Sequence, residues 1–264
     1  MHHDHDSKRP PIAVVGVSAL FPGSVDSTGF WDDILSGTDR MTDVPASHWL
    51  IEDHYDADML APDKTYGRRG GFLDPIDLDL MKFGIPPVAV SATDTAQLLA
   101  LIVAQRVLDD AVIGQFTELD RTRASVILGV TSGQELLGAM ASRMNRPMWL
   151  QGMRLAGVAE DVAVAACDQI ADLHPAWQES TFPGLLGNVV AGRIANRLDL
   201  GGTNCVTDAA CASSFSALSM GVNELYLGDS DLVIAGGVDT MNDIFMYMCF
   251  SKTPSGTATT STAS

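Results

Sequence analysis

The sequence predicts an α/β fold organised around a mainly parallel sheet. Short apolar runs with strand character recur along the chain, at Ile12–Val17, Ala124–Val130, Asn204–Thr207 and Asp231–Val238. Helical periodicity separates them, best developed over Thr93–Ile113 and Phe215–Leu227. The last two runs flank a single helix, a spacing that calls for a right-handed crossover between parallel strands.

Taken in order, residues 1–10 are polar, carry His2, His3 and His5 among aspartates, and read as a disordered leader. Ile12-Ala13-Val14-Val15-Gly16-Val17 reads as a buried strand. Gly16 and Gly23 do not form a G-x-G-x-x-G pattern, so no dinucleotide site is indicated. Phe30–Leu35 is a short helix with Trp31, Ile34 and Leu35 on one side, ended by Gly37. Thr38–Asp79 is irregular, yet Trp49, Tyr55, Tyr66 and Phe72 need somewhere to pack, and His48 and His54 read as surface residues. The Thr93–Ile113 helix carries Leu98, Leu101, Ile102, Val107 and Leu108 at helical spacing, with Asp94 at its positive end and Gly114 beyond it.

The Ala124–Val130 strand leads to a turn at Thr131-Ser132-Gly133. Gln134–Asp172 is mostly helical and methionine-rich (Met140, Met144, Met148, Met153), which fits core or interface filler. Phe182–Gly187 reads as a turn and Asn188–Leu198 as a helix whose Gly192 and Ala195 permit close packing. Cys205 lies inside the third strand as inert core. The helix that follows carries Phe215, Leu218, Val222 and Leu225 on one side and small residues elsewhere, which suggests a helix buried between layers, with small faces turned to solvent as the alternative, until Gly228 ends it. Met241–Phe250 is apolar and reads as core, and residues 255–264 as a low-complexity tail.

The chain has 264 residues, 46% of them hydrophobic, and a formal charge of −17. That charge argues against nucleic acid and anionic membrane as partners. Four cysteines without a C-x-x-C spacing, and no secretory signal, fit a reducing cytoplasm. No apolar run reaches the roughly 18 residues needed to span a bilayer. No metal site is expected; His2, His3 and His5 could hold a metal only weakly, as the lesser alternative to a disordered leader.

Chemistry centres on Asp208-Ala209-Ala210-Cys211-Ala212-Ser213-Ser214. This segment places Cys211 where a strand ends and a helix begins. Unpaired backbone N–H groups and the helix dipole favour an anion there. A free cysteine is only about 3% thiolate at pH 7. A helix N-terminus raises that fraction, and the thiolate is the nucleophile. The Cys211 backbone N–H is then a candidate donor to the oxyanion formed when a thiolate attacks a carbonyl. Position alone favours a buried structural cysteine.

The flanking motifs bear on that choice. Asn188-Val189-Val190-Ala191-Gly192-Arg193-Ile194-Ala195-Asn196-Arg197-Leu198, the Cys211 segment, Ile234-Ala235-Gly236-Gly237-Val238-Asp239 and Phe250-Ser251-Lys252-Thr253-Pro254 occur in order. Together they resemble the β-ketoacyl synthase (condensing enzyme) family, above all ketosynthase domains of polyunsaturated-fatty-acid synthases and iterative polyketide synthases. The opening Ile12–Pro22 and the stretch Gly70-Gly71-Phe72-Leu73-Asp74 share the likeness, with Phe21-Pro22-Gly23 as the turn that closes the first strand.

The resemblance implies a thiolase-like fold, here its N-terminal half over residues 11–254, layered α-β-α around the sheet. It implies Cys211 as the acyl-accepting nucleophile of a decarboxylative Claisen condensation with malonyl-carrier protein. No cofactor is expected to be bound; substrates arrive on the phosphopantetheine of an acyl carrier protein. Further expected partners are a second copy, in a homodimer, and other domains of a multienzyme synthase. Because carrier proteins are typically acidic, docking needs a local basic patch, for which Lys64, Arg68 and Arg69 are candidates beside the alternative of a merely solvated loop.

The likeness stops at Pro254, before the family's second half and its His-Gly-Thr-Gly-Thr and Asn-x-Gly-His motifs. The histidines present are His2, His3, His5, His48, His54 and His174, none in such a context. The expectation is therefore a chain that carries the nucleophile but lacks both catalytic histidines. The alternative is an inactive fragment, or a non-catalytic partner that docks on a complete ketosynthase. A cysteine hydrolase would need a histidine beside Cys211, and no motif supports one.

Overall fold

The computed structural model describes residues 9–112, 120–131 and 135–253. In chain order it contains α1 (Ser27–Ser36), β1 (Thr42–Asp43), α2 (Ile51–His54), β2 (Arg69–Gly70), α3 (Pro87–Val90), α4 (Thr95–Val112), β3 (Ala124–Val130) and α5 (Glu135–Met144). There follow α6 (Arg146–Leu155), α7 (Glu160–Asp172), α8 (Thr181–Leu185), α9 (Val189–Leu198), β4 (Asn204–Thr207), α10 (Ser213–Leu227), β5 (Leu232–Val238) and α11 (Ile244–Lys252). The described residues fall into two units. One gathers those up to Ser18 with Asp77–Thr240, the other Ala19–Ile76 with those from Met241 onward.

The first unit is built on a parallel sheet of order β4-β3-β5. The crossover from β4 through α10 to β5 therefore passes over β3. All seven residues of β3 are buried, as expected of a central parallel strand covered on both faces. Helix α10 packs against β3 and β5, α9 against β3 and β4, and α4 against α9.

The face that α10 turns to the sheet is its small-residue face. Ser213, Ala217 and Gly221, spaced four apart, are buried, while Phe215 and Leu218 are 73% and 51% exposed. The reason is close approach. A Cβ on Gly221 would lie 2.8 Å from Val233 Cγ1, and one on Gly129 of β3 would lie 2.5 Å from the Ser213 carbonyl carbon. Large side chains do not fit that seam, so they turn outward. At the opposite end of β3, Ser125 and Ser230 donate to Glu224 Oε2 at 2.9 and 2.7 Å and tie the strand to α10. Burial pushes the Glu224 carboxyl up, but hydrogen bonds from Ser230, Thr203 and Ser125 outweigh it and hold it below its usual range.

The expected strand at Ile12–Val17 is absent. Residues 12–17 pair with no strand among the described residues, and Val14, Val15 and Val17 are 80%, 53% and 58% exposed. The segment runs along α4 instead. The Val17 N–H donates to Asp110 Oδ2 at 2.8 Å, and a Cβ on Gly16 would lie 2.6 Å from the Val107 carbonyl oxygen. The outer edges of β4 and β5 take no further strand among the described residues, so residues 12–17 have strand composition without a ladder. Two further local readings change: Thr181–Leu185 is a one-turn helix rather than an open turn, and Gly192 meets only Asn204 Oδ1, at 3.6 Å, so close packing of α9 rests on buried Ala191, Ile194 and Ala195. The readings at residues 1–8, Ile113, Gly114, Ser132, Gly133 and Pro254–Ser264 lie outside the described residues.

In the second unit, Asp26 caps α1 by accepting from the Gly29 N–H at 2.8 Å, and Gly37 ends it at a φ of 67°. Trp31, Ile34 and Leu35 are exposed, whereas Asp33 is buried. Asp33 takes Arg40 through two hydrogen bonds, 2.9 and 2.6 Å, and the Ser24 hydroxyl at 2.5 Å. The Arg40 guanidinium first, then the Ser24 hydroxyl, hold its carboxyl below the usual range. Trp49 is buried with edge-on contacts to the rings of Tyr247 and His54. Helix α11 has the composition of core, yet none of its residues is fully buried, and Phe245 and Phe250 stand out from it.

Candidate active site

The site is the turn between β4 and α10. β4 ends at Thr207, Asp208 follows, and Ala210–Ala212 form a single 3-10 turn before α10 begins at Ser213. Cys211 thus sits two residues ahead of the α-helix, exposed, with a free thiol. Ala210, immediately before it, has a φ of 50°. For a residue with a Cβ such a conformation costs about 1–3 kcal/mol and persists only when its surroundings impose it.

The surroundings are polar and specific. Asp208 Oδ1 accepts from the Ala210 N–H at 3.0 Å and from the Thr131 hydroxyl at 3.2 Å. Ser213 Oγ accepts from the Ala209 N–H at 2.8 Å and donates to the Ala210 carbonyl at 2.7 Å. The backbone polar groups adjoining the strained residue are therefore occupied, while among the described residues no acceptor takes the Cys211 N–H. No side chain caps the first turn of α10. What the arrangement offers chemically is an accessible sulfur beside undirected N–H groups, a setting for nucleophilic attack on a carbonyl.

The floor beneath the turn is made of glycine. Gly129 of β3 and Gly237 of β5 are paired in register. A Cβ on Gly129 would reach 2.7 Å from both Ser213 Cβ and Ser214 N, and one on Gly237 would reach 3.2 Å from Ser214 Cβ. These absent side chains let the start of α10 rest directly on the sheet. Sequence reading placed Asp208 and Ser213 in the Cys211 segment without a role, and did not connect Thr131 or Gly129 with it. An aspartate two residues before Ala210 is the signature of an Asx turn and was a usable signal.

Other candidates disperse. Cys205 is half-buried in β4, and burial, followed by the Glu224 charge, pushes its thiol up. His48 packs on Phe72 and His54 on Trp49, while His174 offers its backbone carbonyl to Arg143. Among the described residues, no hydrogen bond joins Cys211 to a histidine, and no group of His, Cys, Asp and Glu is placed to hold a metal ion. Met140 is buried and Met153 half-buried near Cys167, but Met144 and Met148 are 67% and 63% exposed, so the methionines divide between core and surface. Of the candidate basic patch, the two arginines are ion-paired and, among the described residues, Lys64 is not. Arg68 lies 3.6 Å from Asp43, Arg69 lies 3.5 Å from Asp39, and Lys64 donates to the Asp53 carbonyl.

Near the start of α4 lies a second polar node. Asp94 Oδ1 accepts from Ala96 N–H at 3.0 Å, and Oδ2 faces the Leu136 N–H of α5 at 3.5 Å. Burial raises the Asp94 carboxyl, and those two N–H groups only partly offset it. Gln97 gathers the carbonyls of Pro183, Gly184 and Leu186 and accepts from Arg193 Nε at 2.9 Å. This node joins α4, α8 and α9.

Residues 9–264 match the family model described as the β-ketoacyl synthase N-terminal domain. The chain belongs to the β-ketoacyl synthase family. It is 35% identical over 243 residues to a polyunsaturated fatty acid synthase polypeptide from Thraustochytrium, a match spanning 92% of this chain and 9% of that protein. It is 32% identical over 230 residues to a phenolphthiocerol/phthiocerol polyketide synthase polypeptide from Mycobacterium tuberculosis, over 86% of this chain and 13% of the relative. Among solved structures, the oxazolomycin ketosynthase domain from Streptomyces albus superposes with a TM-score of 0.69 at 24% identity, covering 90% of this chain and 36% of that one. A ketosynthase from module 6 of the bacillaene synthase of Bacillus subtilis gives a TM-score of 0.62 at 23% identity, over 90% and 33%. The fold is thus the thiolase-like α/β fold of ketosynthases, and the chain spans about a third of those two solved chains. No helix among the described residues is long and apolar enough to cross a membrane.

Proposed function

We propose that residues 11–254 are the nucleophile-bearing part of a condensing enzyme, and that Cys211 takes up the acyl group. The observation that carries this reading is the exposed Cys211 thiol, on a strained turn whose unengaged backbone N–H, among the described residues, is its own. The Cys211 thiolate attacks the carbonyl carbon of an acyl-phosphopantetheine thioester held on an acyl carrier protein. A new C–S bond forms, the old C–S bond breaks, and the departing pantetheine thiolate takes a proton from solvent. The Cys211 N–H donates to the oxyanion formed on the way.

Condensation with malonyl-carrier protein needs further groups to stabilise the enolate released with CO₂, and among the described residues no histidine is hydrogen-bonded to Cys211. This chain therefore performs the acyl-transfer half alone. With a single oxyanion donor it runs about 10²–10³-fold below a fully equipped site. In the intact enzyme the same domain works within a dimer and a multienzyme synthase.

The test is a single-turnover mixture of this chain with acyl-carrier protein and malonyl-carrier protein, read by mass spectrometry. The acyl group should move to Cys211 without any β-ketoacyl product. A β-ketoacyl product formed in proportion to the chain, or no transfer at all, overturns the assignment.

A further inference from the structure

We infer that Asp208 and Ser213 are the positioning residues of the Cys211 turn: they fix its strained backbone so that the Cys211 N–H stays free to meet an oxyanion. The inference rests on the proposed acyl transfer and concerns how that site is held. Ala210 has a φ of 50° and lies one residue before the nucleophile. The two peptide units entering it are pinned from both sides, since Asp208 Oδ1 holds the Ala210 N–H at 3.0 Å and Ser213 Oγ holds the Ala209 N–H at 2.8 Å. Ser213 also donates to the Ala210 carbonyl at 2.7 Å, which fixes the peptide unit that carries the Cys211 N–H.

That last bond matters most. The Ala210 C=O and the Cys211 N–H belong to one planar peptide, so anchoring the oxygen aims the N–H the opposite way. Ser213 itself is buried against Gly129 and cannot drift. On the Asp208 side, the Thr131 hydroxyl at the end of β3 donates to the same carboxylate oxygen at 3.2 Å, so the clamp is anchored to the central strand as well as to α10. Without the clamp, Ala210 relaxes to negative φ, the peptide rotates, and the N–H leaves its aim. Neither residue touches the acyl group; both act through the backbone of Cys211.

The prediction separates a carboxylate's charge from its geometry. Asp208→Asn keeps an oxygen in place for the Ala210 N–H and the Thr131 hydroxyl, whereas Asp208→Ala removes it. The full 264-residue chain and its Asp208→Asn, Asp208→Ala and Ser213→Ala variants are incubated with a short acyl thioester and, separately, with iodoacetamide. Iodoacetamide forms no oxyanion, so its reaction with Cys211 should change less than about threefold throughout. Acylation should fall about 10–100-fold in Asp208→Ala and Ser213→Ala and recover to within about threefold of wild type in Asp208→Asn. Equal acylation in Asp208→Ala and wild type, or Asp208→Asn as slow as Asp208→Ala, overturns the proposal.

Amide hydrogen exchange keeps the two ideas apart. If the wild-type chain takes no acyl group, the acyl-transfer reading fails. The positioning claim is then decided by the Ala210 N–H, which should exchange about tenfold faster in Asp208→Ala than in wild type or Asp208→Asn. Unchanged exchange at Ala210 sinks it. Matching far-ultraviolet circular dichroism shows that each variant is folded.

Discussion

Replacing Gly129 by alanine tests whether the start of α10 is seated on the sheet as closely as the site requires. The added methyl carbon would lie 2.5 Å from the Ser213 carbonyl carbon and 2.7 Å from both Ser213 Cβ and Ser214 N. Ordinary carbon contacts lie near 3.5–4.0 Å, so either the helix start or the strand must shift by about 1 Å. Two of the three atoms are backbone, and Ser213 is fixed by its own hydrogen bonds. Overpacking of this kind costs about 1–3 kcal/mol. Removing a glycine from the unfolded chain returns about 0.4–1 kcal/mol.

The net expectation is a loss of about 1–2 kcal/mol, together with a displaced Cys211 turn and slower acylation. Gly138→Ala is the matched control, because its Cβ meets nothing within 4 Å on α5 and the change should stabilise by about 1 kcal/mol. Urea denaturation at a fixed pH measures both. A Gly129→Ala protein as stable as wild type, acylated at the wild-type rate, would refute the close seating of α10.

Two more predictions concern titration and thiols. Burial raises the Asp94 carboxyl, so the folded chain holds that proton more tightly than the unfolded chain. Its contribution is complete below the unfolded value, near 3.9, and is lost as pH rises through the higher folded value. Asp94→Asn, which keeps the acceptor for the Ala96 N–H, should therefore gain stability relative to wild type as pH rises through that window and hold the gain at neutral pH. A difference independent of pH would contradict the assignment. Among the four cysteines, iodoacetamide should modify exposed Cys211 and Cys249 first, then Cys205, whose thiol is pushed up by burial and Glu224, and Cys167 only on unfolding. Peptide mapping over time checks the order, and early labelling of Cys167 would count against the packing of α7.

The elements legible in the sequence were those whose signal is local. β3, β4 and β5 stand where short apolar runs meet turn residues, and α1 and α10 stop at glycines with positive φ, Gly37 and Gly228. The strand–Cys–helix geometry was legible for the same reason. Readings that depended on distant partners fared differently. Ile12–Val17 has strand composition, but a strand exists only where a ladder forms, and among the described residues the segment runs along α4 and joins neither outer edge of the sheet.

In α10 the small residues suggested a helix buried between layers, and they form the face on the sheet. The close approach at Gly129, Gly221 and Gly237, which leaves room only for Ser213 and Ala217, was not legible because it depends on the strands opposite. Arg68 and Arg69 left a basic patch and a solvated loop both open, because their ion-pair partners Asp43 and Asp39 lie far away in sequence. In the site, the motif points to Cys211 at the strand–helix turn, whereas the hydrogen bonds of Asp208 and Ser213 to the backbone around Ala210 become visible only in the folded turn, although an aspartate two residues before Ala210 is an Asx-turn signal.

The central claim is that Cys211 is an acyl acceptor, and intact-protein mass spectrometry tests it most directly. The chain is incubated with a short acyl thioester, beside Cys211→Ala. The account predicts one acyl adduct on the wild-type chain and none on the variant. An adduct that persists in Cys211→Ala, or a wild-type chain whose Cys211 is alkylated by iodoacetamide yet takes no acyl group, would contradict it.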